Sequence, residues 1–193
     1  MTQMIKGAQV SKEGKLIVIS GPSGAGKGTI VEKLLADKKY GLSISCTTRA
    51  PRGAEQEGIN YFFKSKAEFE KMIEQHEFLE YADVFGCYYG TPKEYVMNKL
   101  NSGKSVILEI DVQGALQVKE NYPKALMIFI LPPTEEILLA RLRGRKTETE
   151  EQIEKRFGKA KSEMALADKY DYNVINDDLI TAVDEVRQII ENS

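Results

Sequence analysis

Short runs of aliphatic and β-branched residues recur along the chain, and most lead into stretches whose apolar positions return at helical spacing. The first, KLIVIS at residues 15–20, is closed by GPSG and reads as a buried strand entering a tight turn. Beyond the turn, Ile30, Val31, Leu34 and Leu35 share one helical face and Glu32, Lys33 and Asp37 the other, which predicts an amphipathic helix over 29–39. SVILEI at 105–110 and ALMIFIL at 125–131 repeat the strand pattern, each followed by helical periodicity. A fourth strand is predicted at 172–175, ahead of an amphipathic helix over 179–190. Strands alternating with helices predict an α/β fold in which a parallel sheet is flanked by helices.

Two segments break this alternation. Residues 43–90 carry strand-like pieces at 61–63, 78–81 and 87–89, together with Tyr61, Tyr81, Tyr88 and Tyr89. Within them, Ser65 and Glu68 have the spacing of a capping box opening a helix to about Gln75. Thr91 and Glu94 repeat that spacing, with Pro92 at the predicted first helical position. The segment reads as a small mixed α/β insertion. From Arg141 to about Ala165 the chain is charged and helical in pattern, with Gly144 interrupting it, and reads as a mobile helical lid. The expected organisation is therefore a tail over 1–14 and one domain over 15–193. Its core comprises 15–43, 94–135 and 166–193, with the insertion at 44–93 and the lid at 136–165.

Composition narrows the chemistry. Lys plus Arg number 27 against 29 Asp plus Glu, a formal charge of −2, so the basic surplus of a nucleic-acid binder is missing. The single histidine, His76, excludes sites built on two histidine ligands. The cysteines, Cys46 and Cys87, form neither a Cys-x-x-Cys pair nor a disulfide framework. The longest apolar run, 125–131, is too short to span a bilayer, and the first fifteen residues show no signal-peptide stretch. A cytoplasmic protein acting on small molecules, without nucleic-acid or membrane partners, is expected. The oligomeric state is not legible.

Gly21, Pro22, Ser23, Gly24, Ala25, Gly26 and Lys27 fit G-x-x-x-x-G-K, in which backbone N–H groups wrap nucleotide phosphates and the lysine neutralises their charge. The context, a buried strand before the loop and a helix after it, is the one this motif requires. The position after the lysine is Gly28 rather than the usual serine or threonine, and Thr29 follows one place later. The second strand ends in Glu109 and Asp111, and an acidic strand end of this kind can hold Mg²⁺ directly or through water. Six arginines fall in two clusters, Arg49 with Arg52, and Arg141, Arg143 and Arg145 with Arg156, which suggests two phosphate groups approached from different sides. Arg141 and Arg145, four apart, share a helical face, and Arg143 points elsewhere as a surface residue. In the insertion, Tyr61, Glu80, Tyr89 and Thr91 occur among hydroxyl residues. A buried carboxylate there would accept the adjacent N1–H and N2–H₂ donors of guanine, a donor pair that adenine lacks.

The stretches ISGPSGAGKGT, ISCTTRAPRGAE with GINYFF, EFLEYADVFGCYYGTP, LEIDVQGA, RLRGRKTETEEQIEKRF and VINDD, in this order, strongly resemble the guanylate kinases, P-loop nucleoside-monophosphate kinases that phosphorylate GMP from ATP. The resemblance runs from about Leu16 to the C-terminus, and TTRAPR and YYGTP are its most specific parts. It implies a P-loop NTPase-type sheet. It further implies that Ser45, Glu80, Thr91 and Asp111 surround guanine, and that Arg49, Arg52, Tyr61 and Tyr89 hold the GMP phosphate. Lys27 and the loop residues through Gly28 and Thr29 are then expected to bind ATP, with Asn176 near adenine. Lys27, Arg49, Arg141, Arg145 and Arg156 are the expected catalytic residues. Thr29 and Glu109 are the expected Mg²⁺ contacts, with ATP and GMP as substrates and dGMP as a further acceptor. Two alternatives stay open at this point. One is a guanylate-kinase-like module that binds peptides, in which the lysine or lid arginines are expected to be degraded. The other is a kinase for a different monophosphate such as dTMP or AMP, and Glu80 is the residue that discriminates.

Overall fold

The structure is a computed structural model and describes residues 13–84, 86–144 and 149–193. In chain order the elements are β1 (Leu16–Ser20), α1 (Lys27–Leu35), β2 (Tyr40–Leu42), β3 (Cys46–Thr47), β4 (Phe62–Phe63), α2 (Lys66–Glu74), β5 (Phe78–Val84) and β6 (Cys87–Pro92). There follow α3 (Lys93–Asn101), β7 (Ser105–Glu109), α4 (Val112–Asn121), β8 (Leu126–Leu131), α5 (Glu135–Arg143), α6 (Glu150–Met164), β9 (Tyr172–Ile175) and α7 (Leu179–Asn192).

Five strands form a parallel sheet in the order β2-β7-β1-β8-β9. β1 lies at its centre, and every one of its residues is buried, which is why it reads as an unbroken apolar run. Successive side chains of β1 point to opposite faces. Ile17 and Ile19 join α1 and α7 through Ile30, Leu34, Val183 and Val186, whereas Leu16 and Val18 join α3 and α4 through Val96, Leu100, Ala115 and Val118. One strand thus seeds two apolar layers. A second sheet, β4-β3-β6-β5, is mixed and carries its own core of Cys46, Phe69 and Phe78, with Phe69 stacked on Phe78 at 4.3 Å between ring centroids. A helical hairpin of α5 and α6 packs through Leu138, Leu142, Ile153 and Ala160.

The sequence expectations meet the structure unevenly. The four predicted sheet strands are present, but β2 is a fifth, and α1 spans Lys27–Leu35 rather than 29–39. The Ser65 capping box forms: Glu68 N–H donates to Ser65 Oγ at 3.2 Å and Ser65 N–H to Glu68 Oε2 at 2.8 Å. The one predicted at Thr91 does not. Thr91 belongs to β6, Pro92 is the N-cap of α3 rather than its first helical residue, and no side chain caps that helix. The Thr91 hydroxyl is instead committed to a buried carboxylate described below. Gly144 ends α5, and α6 restarts after Thr149, whose side chain caps it. Arg145 lies outside the described residues, as do 1–12 of the expected tail. Among the described residues, no helix is long and apolar enough to cross a membrane.

Candidate active site

The glycine loop joins β1 to α1 with no intervening residue beyond 21–26. Gly21, Gly24 and Gly26 have φ of 139°, 90° and 93°, a region costly for side-chain-bearing residues. Space forbids a side chain as well: a Cβ on Gly21 would lie 2.3 Å from the Ile130 carbonyl oxygen, and one on Gly26 would lie 2.2 Å from Asn176 Nδ2. The loop is therefore pressed onto β8 and the segment after β9. No side chain caps α1, whereas Ser65, Asp111, Thr134, Thr149 and Asp178 cap α2, α4, α5, α6 and α7. The uncapped donors and the helix dipole together favour an anion at this end. Lys27 Nζ curls over the loop and donates to the carbonyls of Gly21 at 2.6 Å and Pro22 at 3.0 Å.

Above the loop is a cavity of about 650 Å³ whose wall includes Lys27, Thr29, Glu109, Asp111 and Arg156. Arg156 reaches it from α6 and donates to Ser23 Oγ at 3.5 Å, so the helical hairpin already touches the loop. Arg141 Nη2 donates to the Asn176 carbonyl at 2.9 Å, and its buried Nη1 has no hydrogen-bond partner among the described residues. Asn176 in turn donates through Nδ2 to the Ala25 carbonyl at 2.8 Å and is 6% exposed. The sequence expectation put Asn176 beside adenine; the structure places its carboxamide beneath the loop as a brace. Arg143 pairs with Glu150 at 3.0 Å on the surface, in keeping with its assignment there.

A smaller recess of about 180 Å³ adjoins this cavity, lined by Ser43, Ser45, Tyr61 and Thr91, and it shares Glu109 and Ile110 with the larger one. Behind Thr91 is Glu80, 8% exposed, whose Oε1 accepts the Thr91 hydroxyl at 2.6 Å. Burial raises the Glu80 pKa, the Thr91 hydrogen bond opposes that shift, and the charge of Asp111 adds to it. Toward the outer side of the insertion, Arg49 Nε donates to Tyr89 Oη at 3.1 Å, and the guanidinium stands 5.5 Å from the Tyr61 ring centroid. Tyr61 and Tyr89 meet edge-on at 6.1 Å, so three of the four residues expected to hold a phosphate are in contact. The Arg52 side chain is exposed, and its backbone is engaged by Glu55: its N–H donates to Glu55 Oε2 at 2.8 Å and its carbonyl accepts the Glu55 N–H at 3.1 Å.

A sequence model of the guanylate kinases matches residues 13–193. The chain belongs to the guanylate kinase family. It is 56% identical over 182 residues to the guanylate kinase of Caldanaerobacter subterraneus subsp. tengcongensis, covering 94% of this chain and 88% of that protein. It is 52% identical over 181 residues to the guanylate kinase of Clostridium acetobutylicum, covering 94% and 87%. The crystal structure of guanylate kinase from Anaplasma phagocytophilum superposes with a TM-score of 0.70 at 32% identity, covering 94% of this chain and 86% of that one.

Within this guanylate kinase framework two residues escaped the sequence reading. Glu55 sits across the Arg49 fork, with Nη2 at 2.9 Å and 3.0 Å from its two oxygens, and Arg49 holds the Glu55 carboxyl below its usual range. The turn from Arg52 to Glu55 delivers it, a loop feature that apolar periodicity does not report. Ser43 lines the smaller recess with a buried Oγ that has no partner among the described residues. Its only signal was the Ser-x-Ser spacing with Ser45.

The loop geometry predicts a specific failure. Gly26→Ala combines a φ of 93° with the 2.2 Å collision at Asn176, the brace of the loop. It is expected to lower unfolding stability by at least about 1–2 kcal/mol in denaturant titrations and to abolish binding of an inert ATP analogue. The buried carboxylate predicts a pH effect. Because the folded pKa of Glu80 is raised, the native state binds the extra proton more readily than the unfolded chain does. The wild type should therefore lose stability relative to Glu80→Gln as pH rises from the ordinary glutamate value through the raised one. Thermal unfolding of both proteins across that window checks the sign.

Proposed function

We propose that this chain transfers the γ-phosphoryl group of ATP to GMP, giving ADP and GDP, with dGMP as a further acceptor. The observation that carries this reading is the shared wall at Glu109 and Ile110, which sets an anion-binding loop beside a recess backed by a buried carboxylate. ATP phosphates lie on the loop from Gly21 to Thr29, with Lys27 against them and Asn176 supporting the loop from below. Guanine enters the recess among Ser45, Thr91, Glu80 and Asp111, and its phosphate meets Arg49, Arg52, Tyr61 and Tyr89.

A phosphate oxygen of GMP attacks the γ-phosphorus, the new P–O bond forms as the bond to the β-phosphate oxygen breaks, and ADP departs. The attacking oxygen is already anionic at neutral pH, so no protein base is needed. Alignment and charge neutralisation carry the rate, supplied by Lys27, Arg49, Arg141, Arg156 and, from the segment outside the described residues, Arg145. The donors beside the loop, one carboxylate on Glu109 and one hydroxyl on Thr29, suit Mg²⁺, which keeps waters and phosphate oxygens as its remaining ligands. When bound, Mg²⁺ supplies charge neutralisation at the β- and γ-phosphate oxygens. The insertion and the α5–α6 hairpin exclude water by closing on the pair of substrates.

Initial rates with ATP and GMP varied together test the direct transfer. Intersecting double-reciprocal lines are expected; parallel lines, or ADP released at the same rate without GMP, contradict it.

A further inference from the structure

β5 is the outer strand of its sheet, so one row of its backbone N–H and C=O groups has no strand partner among the described residues. Side chains of α4 meet that row. Gln117 Oε1 accepts the Tyr81 N–H and its Nε2 donates to the Tyr81 carbonyl, both at 3.1 Å. Asn121 Nδ2 donates to the Leu79 carbonyl at 2.9 Å. A carboxamide presents the same donor and acceptor as a peptide unit, so Gln117 extends the ladder as a single residue of strand would. The spacing is matched: four residues of helix advance ~6.0 Å and two residues of strand ~6.6–6.8 Å, so positions i and i+4 of α4 fall opposite alternate residues of β5.

The two residues so held, Leu79 and Tyr81, flank Glu80. One turn back on the same face is Gly114, where a Cβ would lie 3.1 Å from Glu80 Oε2. The Gly114 N–H donates to Asp111 Oδ1 at 2.9 Å, and Asp111 is the N-cap of α4. One helix therefore carries the Asp111 carboxylate at its start and grips, along one face, the strand that bears Glu80. Glu80 belongs to the insertion and Asp111 to the core, so a tie between the two segments fixes the distance between the carboxylates.

We propose that Gln117 and Asn121 are positioning residues whose carboxamides, bonded to the edge of β5, set the separation of Glu80 and Asp111 and thereby the fit of the purine's hydrogen-bonding edge. This rests on the assignment of Glu80 to guanine. A base-reading site requires its groups to be held within ~0.5 Å, a tolerance that a free sheet edge does not give.

The test compares Gln117→Leu, which keeps helix propensity and removes both hydrogen-bonding groups, with Asn121→Ala and the double variant. In Gln117→Leu the KM for GMP should rise about tenfold, the scale of one to two lost hydrogen bonds, with KM for ATP within about twofold of wild type. Asn121→Ala should show a smaller rise, and the double variant a larger one. Selectivity for GMP over the analogue lacking the 2-amino group, IMP, should fall in the same order. An unchanged KM for GMP, or equal losses toward ATP and GMP, overturns the proposal and leaves these amides a purely structural role. Glu80→Gln is assayed alongside. If it abolishes the GMP preference while Gln117→Leu leaves that preference intact, positioning by α4 fails and base reading stands; if Glu80→Gln leaves the preference intact, base reading itself fails.

Discussion

Glu80→Gln is expected to reduce kcat/KM for GMP by about a hundred- to a thousandfold, with KM for ATP changed less than about threefold. The carboxylate is buried, one oxygen is occupied by the Thr91 hydroxyl, and Asp111 adds repulsion. Burial and the Asp111 charge both disfavour the ionised form here, so stability alone does not select this carboxylate. The two donors on the guanine edge supply the compensation, and each charge-assisted hydrogen bond contributes about 1.5–3 kcal/mol. The amide of glutamine keeps an acceptor for Thr91 but turns a donor toward the guanine donors. The same substitution should raise the unfolding temperature at neutral pH, so loss of activity together with gain of stability is the signature. Steady-state kinetics and thermal unfolding of one purified variant measure both. An unchanged KM and kcat for GMP would show that base recognition lies elsewhere.

Lys27→Met should lower kcat by at least two to three orders of magnitude, roughly the effect of deleting one donor aimed at developing negative charge. The present contacts of the Lys27 ammonium with the Gly21 and Pro22 carbonyls show it held at the mouth of the loop. Methionine preserves the length and removes the charge. Because Lys27 lines the larger cavity and not the smaller recess, affinity for GMP should change less than about threefold. Equilibrium titration with GMP, run beside the kinetics, separates the two effects. Lys27→Arg should not restore the rate, because a planar fork cannot replace a point charge inside a loop wrapped this closely.

The central strands were legible because they are buried on both faces and leave apolar runs that no surface strand matches. β2, by contrast, has three residues, lies at the sheet edge and contains a glycine, so no periodic signal marks it. The glycine loop was readable as chemistry because the strand, the turn and the helix are contiguous. The acceptor recess is not contiguous: Arg49 and Tyr89 are 40 positions apart, and only the motif resemblance put them together before the structure did. Thr91 shows where local rules fail. Its spacing to Glu94 signals a helix cap, but a carboxylate eleven positions away, buried and in need of a donor, takes the hydroxyl instead. Gln117 left no trace at all, since a half-buried glutamine on an amphipathic helix reads as ordinary surface. Its role depends on the edge of a strand in another segment of the fold.

The most direct test of the account incubates the purified protein with Mg-ATP and, separately, GMP, AMP, CMP, UMP and dTMP, following formation of ADP and of the nucleoside diphosphate. ADP and GDP formed in equal amounts with GMP, against rates at least about a hundredfold lower with the other four, is the predicted result. Comparable turnover of AMP or dTMP, or no turnover of any acceptor, would contradict it.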